Sequence, residues 1–324
     1  MRIKAITQKF YYRFYKYIIA GKDSQCFYKG NNNNPKQVIF YLADSKIVHL
    51  GDTLWFEPIA RFLADYFAVA IYPNPAMEFY FTKLNYKIAH IEDLDKDFTM
   101  VIAPIELMFK LKHFKNVLFL SFDYRNVSPG KKLINSMINA VAGHFNLNSE
   151  GASGKYQKLG YTKAQIDESL KKSGLSQDEK YILFNNYIDS WGKHTTLDMV
   201  NVSVETLIKY AGNYKDKHEE VKFIHTGSKI DKNRDNKQLG NIIDIDLRGV
   251  TTVEDLFLLA NAPQVIQYIG FDTFLMHLFN MYDKPSHILL KPGNSDKTNQ
   301  IIKDEVLIPY LNDKYPNLVL INYD

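Results

Sequence analysis

Tyr268-Ile-Gly-Phe-Asp-Thr-Phe-Leu-Met-His-Leu-Phe-Asn-Met-Tyr-Asp-Lys-Pro-Ser-His-Ile-Leu-Leu290 is the stretch on which the reading of this 324-residue chain turns. The apolar run Gln264 to Tyr268 predicts a buried strand, Gly270-Phe-Asp-Thr273 a tight turn, Asp272 to Tyr282 a helix, and Ser286 to Leu290 a second strand. Strand, turn, helix and strand make one βαβ unit. A helix entered through Asp or Thr keeps its first amide N–H groups available for an anion, so the turn is a candidate phosphate cradle. Asp272 and His277 are five apart, which places His277 in the second turn if Asp272 is the cap. Two readings stand at this point: both side chains serve a ligand, or Asp272 only caps and His277 is a core histidine with a backbone partner.

Outward from this unit the same alternation recurs. Tyr181–Phe184, Val221–His225 and Ile242–Asp246 read as strands, with helices over Lys163–Lys172, from Ser203, and over Thr251–Leu259. Upstream, strands are expected at Val38–Tyr41, Ala68–Tyr72, Lys87–Ile91, Thr99–Ala103 and Val117–Phe122. Helices are expected from Thr53, around Met77–Leu84, over Leu107–Phe114 and over Lys131–Gly143. Strands alternating with helices of this length imply parallel sheets covered on both faces, an α/β fold. Asn, Ser, Gly and Lys crowd between Asn146 and Gly160, which divides the chain. The expected organisation is a basic aromatic segment over 1–34, one Rossmann-like domain over 35–160, and a second over 161–324. The last ends in a helix near Asp304–Tyr315 and a strand at Leu318–Ile321.

Lys and Arg number 40 against 36 Asp and Glu, a net charge of +4 that is evenly interspersed and gives little reason to expect a nucleic-acid partner. The single cysteine, Cys26, excludes an internal disulfide and any multi-cysteine zinc site, and points to a reducing compartment. No apolar run reaches the length of a membrane span, and the N-terminus lacks the uninterrupted apolar core of a signal peptide, so a cytoplasmic location is expected. Residues 1–20 carry Arg2, Lys4, Lys9, Arg13 and Lys16 among Phe10, Tyr11, Tyr12, Phe14, Tyr15, Tyr17, Ile18 and Ile19, and no acid. Such a helix either lies on an anionic membrane face or packs on the protein's own surface.

Individual residues then stand out by position. Asp52, after Gly51 and before Thr53, lies where a strand gives way to a helix at the carboxyl edge of a sheet, the place at which open α/β sheets bind ligands. Lys193 follows the first strand of the second half, where a cation would meet a diphosphate. Thr226-Gly-Ser-Lys229 is a turn after the next strand that either contacts phosphate or ribose or only connects.

The run Asp272-Thr-Phe-Leu-Met-His277-Leu, followed by Lys284-Pro285 and a β run, resembles the D-[ST]-G-x-x-H-[LI] motif of the ADP-heptose:lipopolysaccharide heptosyltransferase family. Gly51-Asp52, Trp191-Gly-Lys193 and Asp246-Leu-Arg-Gly-Val-Thr-Thr-Val-Glu-Asp-Leu256 fall in that family's order, so the resemblance spans about residues 37 to 292. Phe274 departs from it, standing where the family has glycine. The resemblance implies two Rossmann-like domains facing across a cleft, the GT-B arrangement, and inverting sugar transfer from a nucleotide diphosphate. It implies that Asp52 takes the acceptor's proton, with Gly51 and Thr53 beside it on the acceptor side. Lys193 and Thr273 would bind donor phosphate, and Asp272 would hold sugar or ribose hydroxyls. His277 would orient the turn or donate to a phosphate, and Leu247 and Arg248 would border the base. Lysine and helix dipole would neutralise the leaving group, so no metal or other cofactor is expected. The expected partners are a nucleotide sugar and a glycan or glycolipid acceptor, with peripheral contact to an anionic membrane. Two other readings remain open: a GT-B enzyme with a different donor, and a non-catalytic scaffold that keeps the fold.

Overall fold

The computed structural model describes residues 26–30, 34–45, 48–121, 133–186, 202–229, 239, 241–271, 273–290 and 318–322. The basic segment over residues 1–22 and the helix expected at Asp304–Tyr315 lie outside the described residues. The chain divides into two compact units, Met1–Gln157 and Lys158–Asp324.

The first unit is a six-stranded sheet in the order β1-β6-β5-β2-β3-β4. Its strands are β1 (Cys26–Lys29), β2 (Gln37–Tyr41), β3 (Ala68–Tyr72), β4 (Lys87–Ile88), β5 (Thr99–Pro104) and β6 (Val117–Leu120). Strands β2 to β6 run parallel. Val38, Ile39 and Phe40 of β2 have no exposed surface, and every residue of β5 is buried, as continuous apolar runs require when helices cover both faces. Helices α1 (Leu50–Ala64), α2 (Glu78–Lys83) and α3 (Leu133–Phe145) supply the cover. β1 is antiparallel to β6, pairing Cys26 with Leu120 and Lys29 with Val117. The basic, aromatic composition of residues 1–34 gives no hint of this edge strand.

The second unit repeats the plan: a parallel sheet in the order β12-β11-β10-β7-β8-β9. It contains α4 (Lys163–Lys172), β7 (Lys180–Asn185), α5 (Val204–Lys217), β8 (Val221–His225), β9 (Ile245–Asp246), α6 (Val253–Asn261), β10 (Val265–Gly270), α7 (Phe274–Met281), β11 (Ser286–Leu290) and β12 (Leu318–Asn322). In each sheet the central pair, β2 beside β5 and β7 beside β10, is where the strand order reverses. A crevice opens at the carboxyl ends of such a pair.

Three expectations need correction. The strand expected over Lys87–Ile91 stops at Ile88, because the His90 amide turns onto the Asp93 carboxylate (3.0 Å) and opens a 3-10 turn at Ile91–Asp93. The helix expected over Leu107–Phe114 is a 3-10 turn, Ile105–Leu107, followed by further turns. Two of the segment's carbonyls, those of Lys112 and Phe114, are taken by the Lys29 ammonium of the neighbouring edge strand. The strand expected over Ile242–Asp246 shrinks to two residues, because Ile242 and Ile243 turn back onto the Leu239 carbonyl and the Asp244 carboxylate takes the Phe223 amide at 2.8 Å.

The segment from Asn148 to Gln157 is fastened to the first unit by side chains that grip its backbone. Tyr66 donates to the Asn148 carbonyl (2.9 Å), Arg61 to those of Ser153 (3.2 Å) and Lys155 (2.6 Å), and Tyr80 to that of Gln157 (3.0 Å). Immediately beyond the boundary the second unit takes over, with Lys158 paired to Asp283 and Tyr282 donating to the Leu159 carbonyl (3.2 Å).

Candidate functional site

In the first unit the candidate groups lie on the connection from β2 into α1. The helix starts at Leu50, three residues earlier than the periodicity predicts, because its cap works from inside: the His49 amide donates to the Asp52 carboxylate (3.2 Å). Asp52 therefore belongs to the first turn, where the helix dipole favours a negative charge, and it is half-buried. Gly51 and Thr53 are buried, and the Thr53 hydroxyl donates back to the His49 carbonyl (3.0 Å). Of the three, Asp52 alone presents a partly exposed side chain.

The same connection carries a second acid, Asp44, that sequence reasoning missed. It pairs with Lys110 while its own side chain is 8% exposed. Tyr41 and Tyr72 meet edge to face at 5.3 Å at the ends of β2 and β3. Burial, with Tyr72 and Asp44 adding to it, holds the Tyr41 phenol above its ordinary range.

In the second unit the carboxyl edge is built by interlocked turns. Gly270 ends β10 where a Cβ would lie 2.2 Å from the Tyr268 hydroxyl and 2.7 Å from the Asn185 carbonyl, so the strand can close on β7 only with glycine. That Tyr268 hydroxyl, fully buried, bonds the Phe271 carbonyl (3.0 Å) and the Thr273 hydroxyl (3.1 Å), which fixes the turn. Thr273 is the N-cap of α7 and accepts the Leu275 amide. His277 is buried in that helix, 7% exposed. Phe274, the departure from the family motif, rests its ring against Phe257 of α6 at 5.9 Å, so the bulk is taken up by helix packing.

At the ends of β8 and β9 two nominated pairs come together. The Leu247 amide donates to the His225 carbonyl (2.8 Å) and the Gly249 amide to that of Gly227 (2.9 Å), which joins the Thr226–Gly227 turn to the Leu247–Arg248 turn. Gly249 has φ +72° with the Lys229 backbone against it, a place for no other residue. Leu247 is buried, and the Arg248 guanidinium is forked onto the Asp246 carboxylate (both 2.9 Å), which holds that carboxyl below its usual range. Both carboxylates of this edge are engaged: Asp244 is bound by Lys215 and the Phe223 amide, and Asp246 by Arg248.

Between these turns lies a buried polar group absent from the sequence reading. Asn185 donates to the Thr226 carbonyl (2.8 Å), and Asn186 bonds the His225 ring (2.9 Å). Asn186 is 1% exposed and Thr226 fully buried. Two successive asparagines directly after an apolar strand were the available signal. Lys193 and Asp272 lie outside the described residues.

The architecture is that of a two-unit, doubly wound α/β protein of the GT-B type, and solved structures share it. The structure of E. coli ADP-heptose lipopolysaccharide heptosyltransferase II matches with a TM-score of 0.55 at 12% identity, over 88% of this chain and 90% of that one. A family 9 glycosyl transferase from Veillonella parvula matches with a TM-score of 0.57 at 14% identity, over 91% and 90%. E. coli heptosyltransferase WaaC with ADP matches with a TM-score of 0.50 at 13% identity, over 89% and 93%. No protein-family model and no curated protein sequence matches the chain. At these identities what is shared is the fold.

Proposed function

We propose that this protein is a glycosyltransferase that moves a sugar from a nucleoside-diphosphate donor to a hydroxyl of a glycan or glycolipid, with heptose as the sugar the motif resemblance favours. The observation that carries the reading is the partly exposed Asp52 carboxylate in the first turn of α1, at the carboxyl edge of one doubly wound sheet, in a chain whose second sheet has the Thr273-capped helix at its own carboxyl edge. Fold likeness along about nine-tenths of the chain to transferases of this kind supports it.

In this reading Asp52 accepts the proton of the incoming hydroxyl as that oxygen attacks the anomeric carbon, and the nucleoside diphosphate leaves with the bonding electrons. The amides at the start of α7, with Lys193, stabilise the diphosphate as its charge develops, so no metal is needed. Thr226, Gly227, Leu247 and Arg248 border the nucleoside. Asp272 holds sugar or ribose hydroxyls, and His277 sets the turn from behind. Residues 1–22 would bring the enzyme to an anionic membrane face from the cytoplasm, where a glycolipid acceptor would be met.

The experiment is a thermal-shift panel with ADP-, GDP-, UDP- and CMP-sugars, paired with Asp52→Asn. One nucleotide should raise the melting temperature, by the equivalent of about 2.7 kcal/mol at a hundred times its dissociation constant. Asp52→Asn should keep that shift while transfer falls by about 10²-fold or more. Silence across the panel would instead favour a scaffold that has kept the fold.

A further inference from the structure

Glu57 lies on α1, five residues beyond Asp52, and has no part in the proposed chemistry. Its carboxyl is completely buried, with side-chain exposure of 0%. Three groups face it. The Arg61 guanidinium, from the next turn of α1, stands 3.3 Å away. The Tyr86 hydroxyl, from the turn after α2, donates at 3.5 Å. The Gln157 amide, a hundred residues away in sequence, donates at 3.1 Å. Gln157 is the last residue of the first unit, and Tyr80 and Arg61 hold the same segment by its carbonyls at Gln157, Lys155 and Ser153. The segment Asn148–Gln157 thus supplies part of the cover that keeps water from a carboxyl.

We propose that Glu57 is a latch on the segment Asn148–Gln157, holding it seated while the carboxyl carries a proton and loosening it when the carboxyl ionises. The inference stands apart from the transferase reading, since it concerns only how the first unit holds the chain that leads into the second.

The direction follows from what unseating does to the carboxyl. While covered, Glu57 is pushed up to about 7 by burial, against the opposing pull of Arg61, the Gln157 amide and the Tyr86 hydroxyl. When the segment lifts, water returns and the carboxyl reverts toward the ordinary glutamate value of about 4.3. The seated form therefore binds the proton more tightly, and by linkage seating weakens as pH rises through neutrality. Between pH 6 and 8 the seating equilibrium should fall about ten-fold. A lone buried carboxylate with one guanidinium partner would be expected to do the reverse if the ion pair outweighed desolvation, so the sign itself is diagnostic.

Amide hydrogen exchange read by mass spectrometry on the full chain tests this, with protection over 148–157 corrected for the intrinsic pH dependence of exchange. Wild type should lose about ten-fold in protection there from pH 6 to pH 8, while Glu57→Gln should show the same protection at both. Arg61→Gln removes the opposing cation, so although its protection is lower throughout, its pH midpoint should move upward. Protection that is flat in wild type, that falls equally in Glu57→Gln, or that rises with pH would overturn the proposal. If Glu57→Gln loses protection across the whole first unit, the Arg61→Gln midpoint decides: an upward move supports the latch, and an unmoved or lowered one refutes it.

Discussion

Gly270 and Phe274 show how much of the turn into α7 is decided by packing behind it. A methyl group at position 270 meets the Tyr268 hydroxyl and, beyond it, the Asn185 carbonyl of the neighbouring strand, which cannot rotate aside. Gly270→Ala should therefore destabilise the protein by about 1–3 kcal/mol, and in denaturant titration the loss should come with weaker nucleotide binding, since Tyr268 would have to release Thr273. Phe274 poses the opposite question. With its half-buried ring on Phe257, Phe274→Ala should cost about 1–2 kcal/mol of stability by the same assay. A nucleotide shift preserved in that variant would show that the aromatic ring is a packing element; one abolished would make it part of the donor pocket.

Elements were legible in the sequence where one period dominated. Val221–His225 and Ser286–Leu290 fall where their apolar runs predict, and the Thr252 cap with Glu254 and Asp255 in the first turn of α6 is a local pattern that tertiary packing had no reason to override. The Gly51–Asp52 nomination rests on a helix entrance that local rules misplace by a turn, since α1 begins at Leu50, and α7 is capped by Thr273. What could not be read depends on partners far along the chain. β1 is a strand only because β6, some ninety residues later, offers it an edge. Asp44 matters because Lys110 reaches it, and Asn186 because His225 does. Lys284 follows the same logic: in sequence it is half of a Lys-Pro pair, whereas in the fold its ammonium is buried against the carbonyls of Ala262 (2.5 Å) and Val265 (2.6 Å) and drawn down to about 8 by burial.

At the scale of the whole molecule the two units carry buried groups that respond oppositely to acid. Glu57, in the first unit, is pushed up to about 7, so the folded unit takes up a proton before the unfolded chain does. Its contribution grows as pH falls from about 7 toward the unfolded value near 4.3. His287, in the second, bonds the Tyr210 hydroxyl (2.8 Å) and is lowered to about 4 by burial and by His218. The unfolded chain protonates first there, so the second unit loses stability as pH falls from about 6.5 toward 4. Calorimetry at pH 7 and pH 5 should show the transition of the first unit rising in temperature and that of the second falling. Glu57→Gln should abolish the rise alone, and both transitions moving together would contradict the assignment.

The antiparallel strand at the rim of the first sheet has a practical use. Cys26 is the chain's single sulfhydryl, and burial pushes it up to about 12, so at neutral pH almost none of it is the reactive thiolate. Cys26 is itself only half-buried, so an alkylating reagent can reach the sulfur but meets almost only the unreactive thiol, and labelling should quicken whenever Cys26–Lys29 frays from Val117–Leu120 and lets the thiol ionise. The rate of labelling would then rise with the looseness of the rim, a gauge that needs no engineered probe.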